Sequence, residues 1–236
     1  MPHVKFILPT APTQPVTMNM GMAMASWYDI VGLDERSNEN CKGIESSVST
    51  LSNILKAEHD TTGLPYHRMV LAGFSQGGAL SLFTGMQLPV AKKLAGIVVM
   101  SGYLPCAQSF KISPGLEDTP ILHCHGTADP MVRHDMALKS QKKVQEGGST
   151  KYEIKSYDGM QHTVIPEEIT FVQTFLQSIL SVDADESCKV KLKNPSDMTM
   201  KELRATIVRA GLTHKSVGMM EKSEFVNLVK NHREGK

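Results

Sequence analysis

A three-layer α/β sandwich, with helices covering both faces of a mostly parallel sheet, is the fold class this sequence predicts, and three observations carry the prediction. The apolar run Met69-Val70-Leu71-Ala72 breaks into Gly73-Phe74-Ser75-Gln76-Gly77-Gly78 and continues as a helix-like stretch over residues 79–86, which reads as strand, sharp turn and helix. Further strand patterns follow at Ile97-Val98-Val99-Met100, over residues 120–126 and in the alternating Tyr152-Glu153-Ile154-Lys155-Ser156-Tyr157. Amphipathic stretches flank them, with apolar residues three or four apart.

In chain order, Met18-Asn19-Met20-Gly21-Met22-Ala23-Met24 places methionine at every second position, one face of an extended segment. Flexible thioethers fit irregular apolar surfaces, so these side chains are expected to fill the core or, with Trp27, to line an apolar groove. Residues 43–58 predict a helix that covers the sheet with Ile44, Val48, Leu51 and Leu55. Residues 89–94 form a surface connection into the strand at Ile97. Residues 166–180 predict the last helix of this part, with Pro166 at its start and Ile169, Val172, Phe175 and Leu176 as its inner stripe.

Beyond Ser181 the composition changes. Val182-Asp183-Ala184-Asp185-Glu186-Ser187 is acidic and polar, and the expected division is a first domain over 1–181, a linker over 182–194 and a small helical hairpin over 195–236. Thr199-Met200-Lys201-Glu202 is a capping-box pattern, Leu203, Ile207 and Ala210 share a face, and Gly211 stops the helix. Glu221-Lys222-Ser223-Glu224 opens a second helix carrying Phe225, Leu228 and Val229. This unit resembles the SAP-like helical hairpin, a resemblance that implies contact with nucleic acid or protein. Its eight lysines and arginines against five acids give a net +3, too little to decide between nucleic acid and protein, and a plain docking hairpin is the expectation.

The 236 residues are 41% hydrophobic with a formal net charge of +1, which suits one large core plus a small appendage and gives no reason to expect wholesale binding to nucleic acid or acidic membranes. No apolar run approaches 18 residues, and residues 1–12 lack the pattern of a signal peptide, so a soluble, cytoplasmic protein is expected. Cys41, Cys106, Cys124 and Cys188 are widely separated without Cys-x-x-Cys spacing, and read as free thiols with no zinc site. His123 and His125 alternate on one strand, but no third metal ligand accompanies them, and strand-end histidines in a core are the expectation.

The chemistry centres on Ser75. A serine on a strand-to-helix turn is held out of the sheet in a strained conformation, and Gly73 and Gly77 let neighbouring backbone approach it. The same pattern also occurs as a plain glycine-rich turn with a capping serine, so partners decide the matter. Asp129 lies just past the strand of residues 120–126, one helix-strand-helix excursion after Ser75, and His162 ends the loop Asp158-Gly159-Met160-Gln161 after the strand at Tyr152. Nucleophile, acid, then histidine is the order of an α/β-hydrolase triad. His162 would take the serine proton, Asp129 would fix the imidazole tautomer, and the backbone N–H of Gln76 would stabilise the oxyanion of an acyl-serine pathway that needs no cofactor.

With Ile7-Leu8-Pro9-Thr10-Ala11-Pro12, Pro15-Val16-Thr17, Ser26-Trp27-Tyr28-Asp29-Ile30, the elbow Gly73-Phe74-Ser75-Gln76-Gly77-Gly78-Ala79-Leu80-Ser81, Leu94-Ala95-Gly96, His125-Gly126 with Asp129-Pro130, and residues 157–162, the chain resembles the acyl-protein thioesterase and carboxylesterase (lysophospholipase-like) family. The resemblance implies hydrolysis of long-chain thioesters on protein cysteines, with lysophospholipids and small esters as further substrates and transient contact with a membrane surface. It also implies an acyl groove near Met22, Met24 and Trp27. Members of the family carry, ahead of the Ile-Leu-Pro strand, a strand ending in a His-Gly-x-Gly-Asp loop that supplies a second oxyanion donor. Met1-Pro2-His3-Val4-Lys5-Phe6 holds no such element. The expectation is an N-terminally truncated form of an active enzyme, with a gap between the strand holding Phe6-Ile7-Leu8 and the Ser75 strand. The competing reading is a catalytically impaired scaffold that binds partners through its hairpin.

Overall fold

The computed structural model describes residues 4–32, 34, 39–180 and 193–233. The chain divides into two compact units, Met1–Lys189 and Val190–Lys236.

The first unit is built on four parallel strands in the spatial order β3 (Val70–Phe74), β4 (Gly96–Met100), β5 (Ile121–Gly126) and β6 (Tyr152–Tyr157). Both central strands are buried on both faces, β5 from end to end, which is why they read as near-continuous apolar runs. Strand alternation divides the core in two. Ile97 and Val99 face a cluster shared with α1 (Ile44–Thr62), α2 (Gln76–Gly85) and α3 (His134–Glu146), and Val98, Leu122 and Cys124 face α4 (Pro166–Ile179). Helices thus cover both faces, as predicted.

A separate antiparallel hairpin pairs β1 (Thr13–Val16) with β2 (Met22–Ala25). The methionine segment is therefore not one extended run: Met18 lies in a short 3-10 turn and Met20 adopts a left-handed conformation. Nor does it fill the core, since Met18, Met20, Met22 and Met24 are all exposed, Met20 at 91%. The expected strand at Phe6-Ile7-Leu8 is also not formed. All three are exposed, Leu8 at 89%, and among the described residues no strand pairs with the free side of β3. An extended segment gains ladder bonds only beside another strand, and among the described residues Phe6-Ile7-Leu8 has none alongside it.

The excursion between β4 and β5 differs from expectation as well. Residues 101–120 cross as turns and loop, without a helix, and bury Tyr103, Leu104, Phe110 and Leu116 instead. Helix α4 keeps three of the four residues of its expected apolar stripe, Val172, Phe175 and Leu176, and departs from it at Ile169. Phe171, Val172, Phe175 and Leu176 pack on the sheet, whereas Ile169 is 49% exposed and Glu168 takes the inward position. The spacing explains it, because 168, 171, 172, 175 and 176 follow a strict i, i+3, i+4, i+7, i+8 line that Ile169 leaves.

Glu168 is fully buried, and neither carboxyl oxygen has a hydrogen-bond partner of normal geometry, the Ile165 backbone offering only a weak approach. Burial holds its carboxyl above the usual carboxylate range. Because the folded value is raised, stability is fully present below the unfolded glutamate pKa near about 4.3 and declines as pH rises towards the folded value. Glu168→Gln should therefore match the parent protein near pH 4 and melt at a progressively higher temperature than it as pH rises to 8. A pH-independent difference in Tm between the two would show that the ionisation of Glu168 carries no cost.

The second unit is a pair of helices, α5 (Met200–Arg209) and α6 (Lys222–Arg233). The capping box forms: Thr199 Oγ1 accepts from Glu202 N–H at 3.3 Å, and Glu202 Oε2 accepts from Thr199 N–H at 2.6 Å. Leu203 and Ile207 are buried against Phe225, Val226 and Val229, and the partly buried Ala210 and Leu228 pack against this cluster. Gly211, at φ 70°, takes the left-handed position after the helix. The expected linker over 182–194 lies mostly outside the described residues, as does Cys188.

Candidate active site

Ser75 follows β3 and precedes α2 with φ 52° and ψ −122°, a conformation that L-residues other than glycine rarely adopt. The turn is held by Ser75 N–H donating to Met100 C=O at 2.8 Å and Ala79 N–H donating to Ser75 C=O at 3.0 Å. Space around it depends on glycine, though not wholly at the expected positions. A methyl group at Gly73 would lie 2.2 Å from the Gly77 carbonyl carbon, and one at Gly78 2.7 Å from Gly73 C=O, whereas one at Gly77 would meet open space. Gly102 completes the crowding, 3.2 Å from Ser75 C=O by the same measure. The Ser75 side chain does not cap α2. Its Oγ lies 3.0 Å from His162 Nε2.

Three strand ends converge here. Asp129 follows β5 and His162 follows β6, and His162 Nδ1 lies 2.7 Å from Asp129 Oδ2. Asp129 Oδ1 accepts from the Met131 and Val132 N–H groups, each at 2.9 Å. The side chain of Asp129 is fully buried and that of His162 mostly so. The loops carrying the two residues are tied together, with Thr127 N–H donating to Tyr157 C=O at 2.9 Å, Ala128 N–H to Met160 C=O at 3.1 Å and Gly159 N–H to Thr127 Oγ1 at 2.9 Å. Gly126 permits the closeness, since a methyl group there would sit 2.0 Å from Met160 C=O. The Phe74 ring packs on the imidazole at 4.8 Å between centroids.

An ionised Asp129 accepts only, so Nδ1 of His162 carries the hydrogen and Nε2 is left to accept from the Ser75 hydroxyl. That arrangement can remove a proton from serine while a carboxylate steadies the imidazolium. Gln76 is the first residue of α2, and its N–H has no acceptor within the helix.

Two interactions around the site escape a reading of the sequence. The Gln76 side chain clamps the segment after β2: its Oε1 accepts from Trp27 N–H at 2.9 Å, and its Nε2 donates to Tyr28 C=O at 2.9 Å and Ser26 Oγ at 3.0 Å. Trp27, itself half-buried, is thereby fixed beside the elbow, shortly after the strand that carries the exposed Met22 and Met24. Phe74 against His162 is the second. Neither has a signal in spacing, because both are tertiary interactions of residues already accounted for by the turn. Among the described residues no group of His, Cys, Asp and Glu could hold a metal ion, and Cys41, Cys106 and Cys124 form no disulfide.

This fold and this strand-end constellation define a serine hydrolase of the α/β type. Residues 1–180 match the model of the phospholipase/carboxylesterase family, and the chain belongs to that family. It is 40% identical over 196 residues to acyl-protein thioesterase 1 of Neurospora crassa, covering 78% of each chain. It is 36% identical over 194 residues to acyl-protein thioesterase 1 of Mycosarcoma maydis, covering 75% of this chain and 79% of that one. Among solved structures it is similar to Arabidopsis thaliana SOBER1, with a TM-score of 0.63, 30% identity, and coverage of 74% of this chain and 83% of that one. The chain is an enzyme that hydrolyses ester and thioester bonds. No described helix is long and apolar enough to cross a membrane.

Proposed function

We propose that this enzyme removes long-chain acyl groups from S-acylated protein cysteines, and accepts lysophospholipids and small esters, through an acyl-Ser75 intermediate. Ser75 Oγ attacks the carbonyl carbon as its proton passes to His162 Nε2, and the tetrahedral oxyanion is held by Gln76 N–H. Collapse expels the cysteine thiolate, which takes the proton from His162. Water then attacks the acyl-serine with His162 again as base, releasing the fatty acid and restoring Ser75. The observation that carries this reading is the continuous chain Ser75 Oγ to His162 at 3.0 Å and His162 to Asp129 at 2.7 Å, set on a serine strained into positive φ.

The substrate class is supported by the exposed Met22 and Met24, which lead into the Trp27 segment that Gln76 pins beside the nucleophile. Flexible thioethers and an aromatic ring suit a saturated acyl chain. We place the enzyme in the cytoplasm, in transient contact with the membranes that carry its substrates. Residues 1–181 would be the hydrolase domain and 195–236 a tethered docking hairpin for a nucleic acid or protein partner.

Hydrolysis of a palmitoyl-thioester peptide, compared with an acetyl ester, tests the groove. The double variant Met22→Ser, Met24→Ser should raise KM for the palmitoyl substrate about tenfold, since each acyl methylene no longer covered by a thioether forfeits about 0.8 kcal/mol, and leave the acetyl ester unchanged. An equal effect on both substrates would place the acyl chain elsewhere.

A further inference from the structure

A group of titratable side chains that the triad does not use lies on the α3 face of the sheet, beside Asp129. Strand β5 puts His123 and His125 on one face, and both rings are fully buried. Their hydrogen bonds run in one direction. His125 Nε2 lies 2.7 Å from Val132 C=O and can only donate there. In a neutral ring Nδ1 is then an acceptor, and it faces His123 Nε2 at 3.3 Å, which must carry the hydrogen. His123 Nδ1 is left to accept from the Tyr152 hydroxyl at 2.9 Å. Each tautomer fixes the next, from Tyr152 through His123 and His125 to the Val132 carbonyl, with the Gly102 backbone as a further partner of His123.

Both rings are held neutral. Burial lowers His123 to about 3 and lowers His125 in the same direction. The ionisable neighbours are Asp129, whose Oδ2 lies 3.6 Å from His125 Nε2, His162 of the triad, and His134 on α3, whose ring centroid is 5.9 Å from that of His125. His134 is itself bonded to Ser156 Oγ at 2.7 Å, and the Gly102 backbone lies against His123. With His125 neutral, its approach to Asp129 is not an ion pair, and the strong bond is the one to Val132.

Val132 is gripped from both sides. Its C=O takes the hydrogen of His125, and its N–H is one of the two donors to Asp129 Oδ1. We propose that Tyr152, His123 and His125 are positioning residues: the chain they form fixes the Val132 peptide, and through it the Asp129 carboxylate, against His162. The proposal rests on the triad reading, but fails separately from it.

A double-mutant cycle on kcat, with an activated aryl ester as substrate, separates the two. His125→Leu deletes the donor to Val132 and should lower kcat roughly 10- to 100-fold with KM within about twofold, since a misplacement near 1 Å costs on this order. His125→Gln, which can still donate to Val132, should recover most of that loss. In an Asp129→Asn background His125→Leu should cost nothing further. Should His125→Leu not fold, Tyr152→Phe makes the same test by removing one hydroxyl. It should lower kcat several-fold, and imidazole 15N shifts should move His123 away from the Nε2–H tautomer. An unchanged kcat in these variants, or a His125→Leu loss that persists in full when Asp129 is already asparagine, would overturn the positioning role. Full activity in Asp129→Asn alone would instead overturn the triad.

Discussion

Ser75→Ala is expected to eliminate both turnover and labelling by a fluorophosphonate probe, with a loss in kcat on the order of 10⁵- to 10⁶-fold, while leaving the fold in place. The size of the effect follows from the role, since without Oγ no acyl-enzyme can form and only binding and the oxyanion donor remain. The retained fold follows from the local bonding. Ser75 is held by backbone bonds to Met100 and Ala79, both of which survive the change, and its side chain neither caps α2 nor fills the core. Alanine must still adopt φ 52°, a strain already present in the parent protein. Circular dichroism and Tm checked beside kinetics distinguish the outcomes. A folded Ser75→Ala protein with parental turnover would remove the acyl-serine mechanism.

The second large effect is expected at Asp129, and the hydrogen bonds state its direction. Oδ1 accepts from two backbone N–H groups, so in Asp129→Asn the amide oxygen must take that position and the NH₂ must face His162. Nδ1 of His162 then has to accept rather than donate, the ring proton moves to Nε2, and Nε2 can no longer accept from Ser75. Asp129→Asn should accordingly lose about 10⁴-fold in kcat with little change in KM or Tm, and His162→Ala at least as much. Parental rates in either variant would mean that a different group receives the serine proton.

The site was legible in the sequence because each of its members ends a recognisable strand. The elbow glycines and the loops after residues 120–126 and 152–157 suffice to put Ser75, Asp129 and His162 at one edge of the sheet. Central strands were legible for a related reason, as burial on both faces leaves a run such as Ile97-Val98-Val99-Met100 little freedom of composition. What the pattern could not convey was the partner across from each element. Alternating methionines look alike whether the facing surface is core or solvent, and only the folded hairpin shows that Met22 and Met24 are exposed. The helix stripe differs by one residue because Glu168, a charged type, occupies a core position that hydrophobicity alone gives to Ile169. Phe6-Ile7-Leu8 has the composition of a strand, but among the described residues no neighbouring strand bonds it. Gln76 was legible as a backbone donor only, since its side-chain clamp on Ser26, Trp27 and Tyr28 spans some fifty positions of sequence.

The central claim is that Ser75 is the residue acylated during turnover, and it is tested most directly by mass-spectrometric peptide mapping after reaction with a fluorophosphonate. The account predicts one phosphonyl group per chain, located on Ser75 within the peptide that contains Gly73-Phe74-Ser75-Gln76, formed slowly or not at all in His162→Ala. A folded, unmodified protein, or an adduct on any other residue at equal rate in His162→Ala, would contradict it.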